Sequence, residues 1–266
     1  MKLQQATKGS ETVATKGFEG AGAKPDEASS KDATELKISA GGVFAQGNSR
    51  STAVTSSGRF RVRRTSNQLS FALAENYARS ASKPSDSTEV TVENIQGKTR
   101  YDRFLSGPFV VFTALSGLRD RFQGLDLRLN LDPGIGYYFV DEAKQQLWSE
   151  LGYDLQYDYR KDSKIAEALA AGTPVDKAET RHSGRIFLGY TNGINKAVTV
   201  DAGFEYLQAF SQTENWCMNW TLGLNSSIGG SFSIATTFNL KYDHNPLPGV
   251  LNTDAVTAVS LVYQLL

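Results

Sequence analysis

From Leu36 to the C-terminus, hydrophobic and polar residues alternate with a period of two. That spacing puts apolar side chains on one face of a strand and polar ones on the other. The pattern is cleanest over residues 68–79, where Leu69, Phe71, Leu73 and Tyr77 alternate with Ser70, Ala72, Ala74 and Asn76. It is nearly as clean over 216–228, with Trp216, Met218, Trp220, Leu222 and Leu224 set against Cys217, Asn219, Thr221, Gly223 and Asn225. Twelve segments are predicted as strands: 36–46, 52–64, 68–79, 90–104, 109–120, 125–140, 146–160, 180–191, 197–211, 216–228, 232–243 and 255–265. The fourth is the least regular and its phase is open. Pro133 lies inside the sixth, where a lost ladder hydrogen bond predicts a bulge.

The connections differ in length. Those near 65–67, 105–107, 192–196 and 229–230 are short, while 81–89, 161–179 and 244–254 are long and polar. Short turns at one end and long loops at the other predict an up-and-down barrel of the outer-membrane kind, with both termini at the short-turn end. A soluble barrel of the lipocalin kind has the same period, and periodicity does not say which face meets water. The composition of the polar face favours the membrane form. It carries glycine, alanine, serine, asparagine and paired charges, which suit a lumen, whereas a soluble barrel needs its large side chains inside. Tyr153, Tyr157, Tyr159, Trp216, Trp220, Tyr242 and Tyr263 lie toward strand ends, as interfacial girdles require. The predicted fold is all-β: a closed, antiparallel, twelve-stranded transmembrane β-barrel over residues 34–266, with short periplasmic turns and longer extracellular loops.

Composition changes this picture little. Mean hydropathy is −0.34, a soluble value, but a barrel averages a lipid-facing stripe with a polar lumen. The 28 basic and 28 acidic side chains cancel, which argues against a nucleic-acid partner. One cysteine, Cys217, excludes an intrachain disulfide and a four-cysteine zinc site. Two histidines, His182 and His244, leave little for a metal centre, so neither metal nor cofactor is expected. The densest apolar run, residues 109–112, falls far short of the roughly 18 residues of a spanning helix. Residues 1–33 are polar and small, and are expected to form a flexible periplasmic extension able to contact a periplasmic partner. They lack the apolar core of a secretion signal, and the barrel reading favours a signal already removed.

The polar face also carries the candidate chemistry. Arg59, Arg61 and Arg63, joined by Arg119, Arg121 and Arg128, are expected to form a basic lumen wall. Glu150, Asp154, Asp158, Asp201 and Glu205 are expected to form an acidic wall opposite. Two readings stay open: a transverse field that selects small polar or charged solutes in a narrow channel, or ion pairs that fill the lumen of a structural, non-conducting barrel. Catalysis is a remote third. His182 and Ser183 are adjacent in a strand and so face opposite ways, and Asp243, His244 and Asp158 could meet only loosely. Residues 164–170 form a candidate short helix in the longest loop: a mobile segment, a lid over the pore, or a contact for an external partner.

The segment Arg119-Asp120-Arg121-Phe122-Gln123-Gly124-Leu125-Asp126-Leu127-Arg128-Leu129, followed by Pro133-Gly134-Ile135-Gly136-Tyr137-Tyr138, resembles the centre of a bacterial family, domain of unknown function 481. Members are often labelled salt-induced outer-membrane proteins. Gly47-Asn48, Arg100-Tyr101-Asp102, Asn245-Pro246 with Pro248-Gly249, and Val259-Ser260-Leu261-Val262-Tyr263 extend the likeness to the last strand. The resemblance implies a Gram-negative outer-membrane β-barrel and almost nothing about substrate. A barrel of this kind is expected to be a monomer whose partners are outer-membrane lipid, lipopolysaccharide and the assembly machinery. One departure concerns assembly: such barrels usually end on an outward aromatic, and here Leu265 holds that phase with Leu266 beyond it.

Overall fold

A computed structural model describes residues 32–45, 50–81, 87–121, 124–142, 144–246 and 252–265. The expected N-terminal extension lies outside these, except that Asp32 and Ala33 open the first strand. Twelve strands follow in order: β1 (Asp32–Ala45), β2 (Arg50–Arg64), β3 (Asn67–Ala81), β4 (Glu89–Phe104), β5 (Phe109–Asp120), β6 (Leu125–Asp141), β7 (Gln145–Arg160), β8 (Ala178–Gly193), β9 (Val198–Ala209), β10 (Trp216–Gly229), β11 (Phe232–Asp243) and β12 (Thr253–Gln264). Each pairs antiparallel with its sequence neighbours, and β12 returns to β1 through Lys37↔Gln264 to Ala40↔Leu261, closing the barrel. One helix, α1 (Asp162–Ala170), stands in the β7–β8 connection. No helix among the described residues is long and apolar enough to cross a membrane.

The connections at 65–66, 105–108, 142–144, 194–197 and 230–231 share one end of the barrel with Asp32 and Leu265. The connections at 161–177 and 210–215 lie at the other end, with the strand ends Ala45, Arg50, Ala81, Glu89, Asp120, Leu125, Asp243 and Thr253. The expected bulge at Pro133 is not found. The β6–β7 register runs unchanged from Leu131↔Leu155 to Gly134↔Gly152, and its shifts fall at Leu125/Leu127 and Tyr138/Val140. Asp132 and Pro133 simply drop out of that ladder: proline's missing N–H removes a bond without inserting a residue.

The faces are inverted relative to a soluble barrel. On β3, Gln68, Ser70, Ala72, Ala74, Asn76 and Ala78 are buried while Leu69, Phe71, Leu73 and Tyr77 are exposed. Large apolar side chains are exposed on every strand, from Ile38 on β1 and Phe71 on β3 through Ile135 on β6 and Trp220 on β10 to Leu261 on β12. Each would cost about 25 cal/mol per Å² of apolar surface in water, a cost absent in hydrocarbon. Inside, an apolar layer of Phe104, Val110, Tyr138, Trp148 and Phe187 fills the short-turn end between β4 and β8. Trp148 stacks on Tyr138 with ring centroids 6.0 Å apart.

Candidate functional site

Above that apolar layer, toward the loops, a chain of ion pairs cuts across the lumen. Arg100 of β4 reaches past β5 and β6 to Glu150 of β7, donating Nη2 to Oε1 at 2.8 Å and Nη1 to Oε2 at 3.2 Å. Its Nε donates to Asp102 at 2.8 Å, and Gln68 of β3 donates to the same carboxylate at 3.3 Å. From β8, Arg185 donates Nη1 to Glu150 at 2.8 Å and Nε to Glu205 of β9 at 2.5 Å. Asn219 of β10 completes the chain, donating to Glu205 at 2.8 Å. Arg100, Asp102, Glu150 and Arg185 are buried, and Phe112 lies under both guanidiniums, 3.9 Å from Arg100 and 5.9 Å from Arg185. Room for that ring comes from Gly134, where an added Cβ would lie 2.5 Å from Phe112. Burial of charge at this density is tolerable because every carboxylate meets a guanidinium.

A second set of pairs stands nearer the loops. Arg128 donates Nε and Nη2 to Asp158, each at 2.7 Å, and Asn130 donates to Asp154 at 2.7 Å. Arg160 pairs with Glu179. Outside the membrane-spanning strands, Lys177 donates to Asp162 of α1 at 2.5 Å, a bond that raises the Lys177 ammonium above the usual lysine range.

The expected basic wall is only partly lumenal. Arg59, Arg61 and Arg63 share the inward register of Lys37, Glu35 and Ala33. Arg61 pairs with Glu35, and Arg63 stacks 3.9 Å over Phe104. Arg128 also faces in. Arg119 and Arg121 do not: both are exposed on the outward register of Ile95, and Arg121 pairs with Glu93 at 2.9 Å. The reason is the inner face of β5, which is apolar at Val110, Phe112, Ala114 and Leu118. With apolar residues on both faces, alternation gives no phase.

Glu150, Asp154, Asp158, Asp201 and Glu205 all face the lumen, but they do not form a bare wall opposite a basic one. Glu150 and Glu205 are bridged by Arg185 from between them, and Asp158 is clamped by Arg128 on the adjacent strand. Opposite charges still face each other where Lys37 and Arg59 lie within electrostatic reach of Asp201, and where Lys98 of β4 lies within reach of Glu205 of β9. Arg100 and Arg185, the central cations, escaped the sequence reading. Arg185 could have been found, because it follows Ser183 in the inward phase of β8.

The aromatic residues divide between two rims. Tyr157, Tyr159, Trp216 and Tyr242 stand at the loop end, where Trp216 lies between Tyr206 and Tyr242 at centroid distances of 6.1 and 5.1 Å. Tyr263 stacks on Phe232 at the short-turn end, 4.8 Å apart, joined there by Phe109, Tyr137 and Phe139. Tyr153 and Trp220 also face out but sit deeper along their strands; Tyr153 pairs with the outward His182. Ser183 faces inward and is buried, and His244 stacks 4.7 Å from Trp216. Asp158 and Asp243 are engaged elsewhere, with Arg128 and with the Asn245 N–H. Among the described residues no group of His, Cys, Asp and Glu is placed to hold a metal.

An apolar exterior, aromatic rims and a polar interior on a closed, even-stranded sheet define a transmembrane β-barrel of the outer-membrane type. The chain belongs to the family described as protein of unknown function, DUF481, whose model matches residues 38–265. That description names no induction by salt. No curated protein matches the chain. Among solved structures, the NanC porin is similar over 86% of this chain and 97% of its own, at 11% identity and a TM-score of 0.48. The COG4313 outer membrane channel from Pseudomonas putida F1 is similar over 88% and 95%, at 10% identity and a TM-score of 0.48. The outer membrane channel DcaP of Acinetobacter baumannii is similar over 91% and 99%, at 9% identity and a TM-score of 0.38.

Proposed function

We propose that this protein is a narrow outer-membrane channel of Gram-negative bacteria that passes small polar or charged solutes along one side of its lumen. The observation that carries the reading is an asymmetry of the interior. The arc from β3 to β8 is filled by the apolar layer and by most of the ion-pair chain, whose tail ends on Glu205 of β9 and Asn219 of β10. Beyond that tail, the arc through β12 to β2 presents small or half-exposed polar groups: Ser39, Thr55 and Ser57 on one side, Asn225 on the other. Lys37, Arg59 and Asp201 stand on this arc with opposite signs, a field that would orient a dipolar solute.

Planar-bilayer conductance of the purified protein tests the reading. Discrete steps are expected, and Arg59→Gln should move the reversal potential in a salt gradient toward cation preference. A second reading, a non-conducting barrel, draws on the buried Arg100–Glu150–Arg185 chain. Silence in the unaltered protein, with conductance appearing only in Glu150→Ala, would establish that reading and sink the open channel.

A further inference from the structure

The apolar belt is interrupted on one side of the barrel. The outward series of β3 runs Leu69, Phe71, Leu73, Glu75, Tyr77, Arg79, so an exposed carboxylate stands inside the apolar series, two outward positions short of the Arg79 that ends it toward the loops. Register puts Ile95 of β4 beside Glu75, and Arg119 of β5 beside Ile95, all on the outward face. Among the described residues, neither Glu75 nor Arg119 has a hydrogen-bond or ion-pair partner. Two strand spacings, roughly 10 Å, separate them with Ile95 between. The pair nearest the loops, Arg121 with Glu93, is already satisfied. Around Glu75 the outward residues are small: Ser56 and Gly58 of β2, Gly97 of β4 and Gly117 of β5. A Cβ on Gly58 would meet nothing within 4 Å.

An ionised carboxylate against lipid tails is costly unless a cation is brought to it. A two-fold axis along the membrane normal, passing in front of Ile95, brings one twice. It exchanges the β3 and β5 sides of the patch, so Glu75 of each copy faces the partner's Arg119. One contact is therefore satisfied by its own mirror half, the requirement of an isologous interface. Small outward residues let two sheets approach closely, as small residues do at helix contacts in membranes. We infer that the outward β2–β5 face is an interface between two copies of this chain, closed by reciprocal Glu75–Arg119 ion pairs. The phosphates of lipopolysaccharide would satisfy Arg119 but would add repulsion at Glu75, so charge complementarity favours the second copy.

The test is the mass of the detergent-solubilised full chain by light scattering, with cross-linking in vesicles and with folding of each variant checked by heat-modifiable migration. The unaltered chain should be a dimer. Glu75→Arg and Arg119→Glu alone should each associate roughly ten-fold or more weakly. Refolding the two variants together should restore the dimer, because that heterodimer regains two opposite pairs. Gly97→Trp, which fills the small-residue surface without touching charge, should separate the copies as well. If the charge variants do not fold, that variant decides. A monomeric unaltered chain, single variants that still dimerise, or a mixture that stays monomeric would overturn the inference. So would lipopolysaccharide retention that depends on Arg119 with no change in mass. Mass is read without conductance, so this result stands apart from the channel reading.

Discussion

Glu150 sits between two guanidiniums, and its carboxylate is what makes their neighbourhood tolerable. Arg100 and Arg185 each donate to it, and both arginines are buried. Replacing Glu150 by alanine leaves two buried cations facing each other, and removal of one partner of a buried pair costs about 3–5 kcal/mol. Glu150→Ala should therefore lose stability in urea unfolding from lipid vesicles by that order, whereas Asn219→Ala should lose about 1.5–2 kcal/mol, a single half-exposed hydrogen bond to a carboxylate. Equal losses at the two sites would contradict a network centred on Glu150. How much of this site can be read from sequence depends on the strand. Glu150, Asp154 and Asp158 are legible because Leu151, Tyr153, Leu155 and Tyr157 set the phase of β7. Arg119 and Arg121 mislead because β5 has no polar face to set one, and Arg100 stays hidden in β4, where Gly97, Lys98 and Thr99 blur the alternation. The pairing of Arg100 with Glu150 joins strands that are not neighbours, and no local pattern encodes that distance.

At the scale of elements, strand boundaries are the legible part. The predicted β5 and β11 end where the structure ends them, and most others differ by two residues or fewer. Turn chemistry and period fix these locally; a seam between the first and last strands has no such local signal. Among the described residues it holds the shortest register in the barrel, four pairs from Lys37↔Gln264 to Ala40↔Leu261. Just beyond it, Gly41 is pressed against β12, where an added Cβ would lie 2.5 Å from the Val259 carbonyl. A side chain there must push the two strands apart, at about 1–3 kcal/mol for an overpacked site. Gly41→Val should lower the temperature at which the folded, fast-migrating band of a detergent gel converts to the unfolded one. The same change at Gly193 of β8, where an added Cβ would meet only the Lys144 carbonyl at 3.8 Å, should leave that temperature nearly unmoved. Closure that tolerates Gly41→Val as well as Gly193→Val would show that the seam does not depend on this contact.

At the scale of the whole molecule, the barrel is polar along its axis as well as across it. The long 161–177 connection with its helix stands at one end; the turns at 105–108 and 230–231 and the ends of β1 and β12 stand at the other. A chain that inserts from the periplasm would deliver its long polar loops to the far side and keep its short turns behind, so the loop end is expected to face outward. Substituted cysteines read that orientation directly, after Cys217→Ser removes the one native thiol, which faces the lumen in the register of Leu207 and Asp243. Glu167, exposed on α1, and Ser106, exposed in the β4–β5 turn, mark the two ends. A membrane-impermeant maleimide should label Glu167→Cys in intact cells and Ser106→Cys only after the outer membrane is broken. The reverse order would invert the barrel. Labelling of both in intact cells would show that the short-turn end is not enclosed, and would place the apolar exterior somewhere other than the membrane assigned to it.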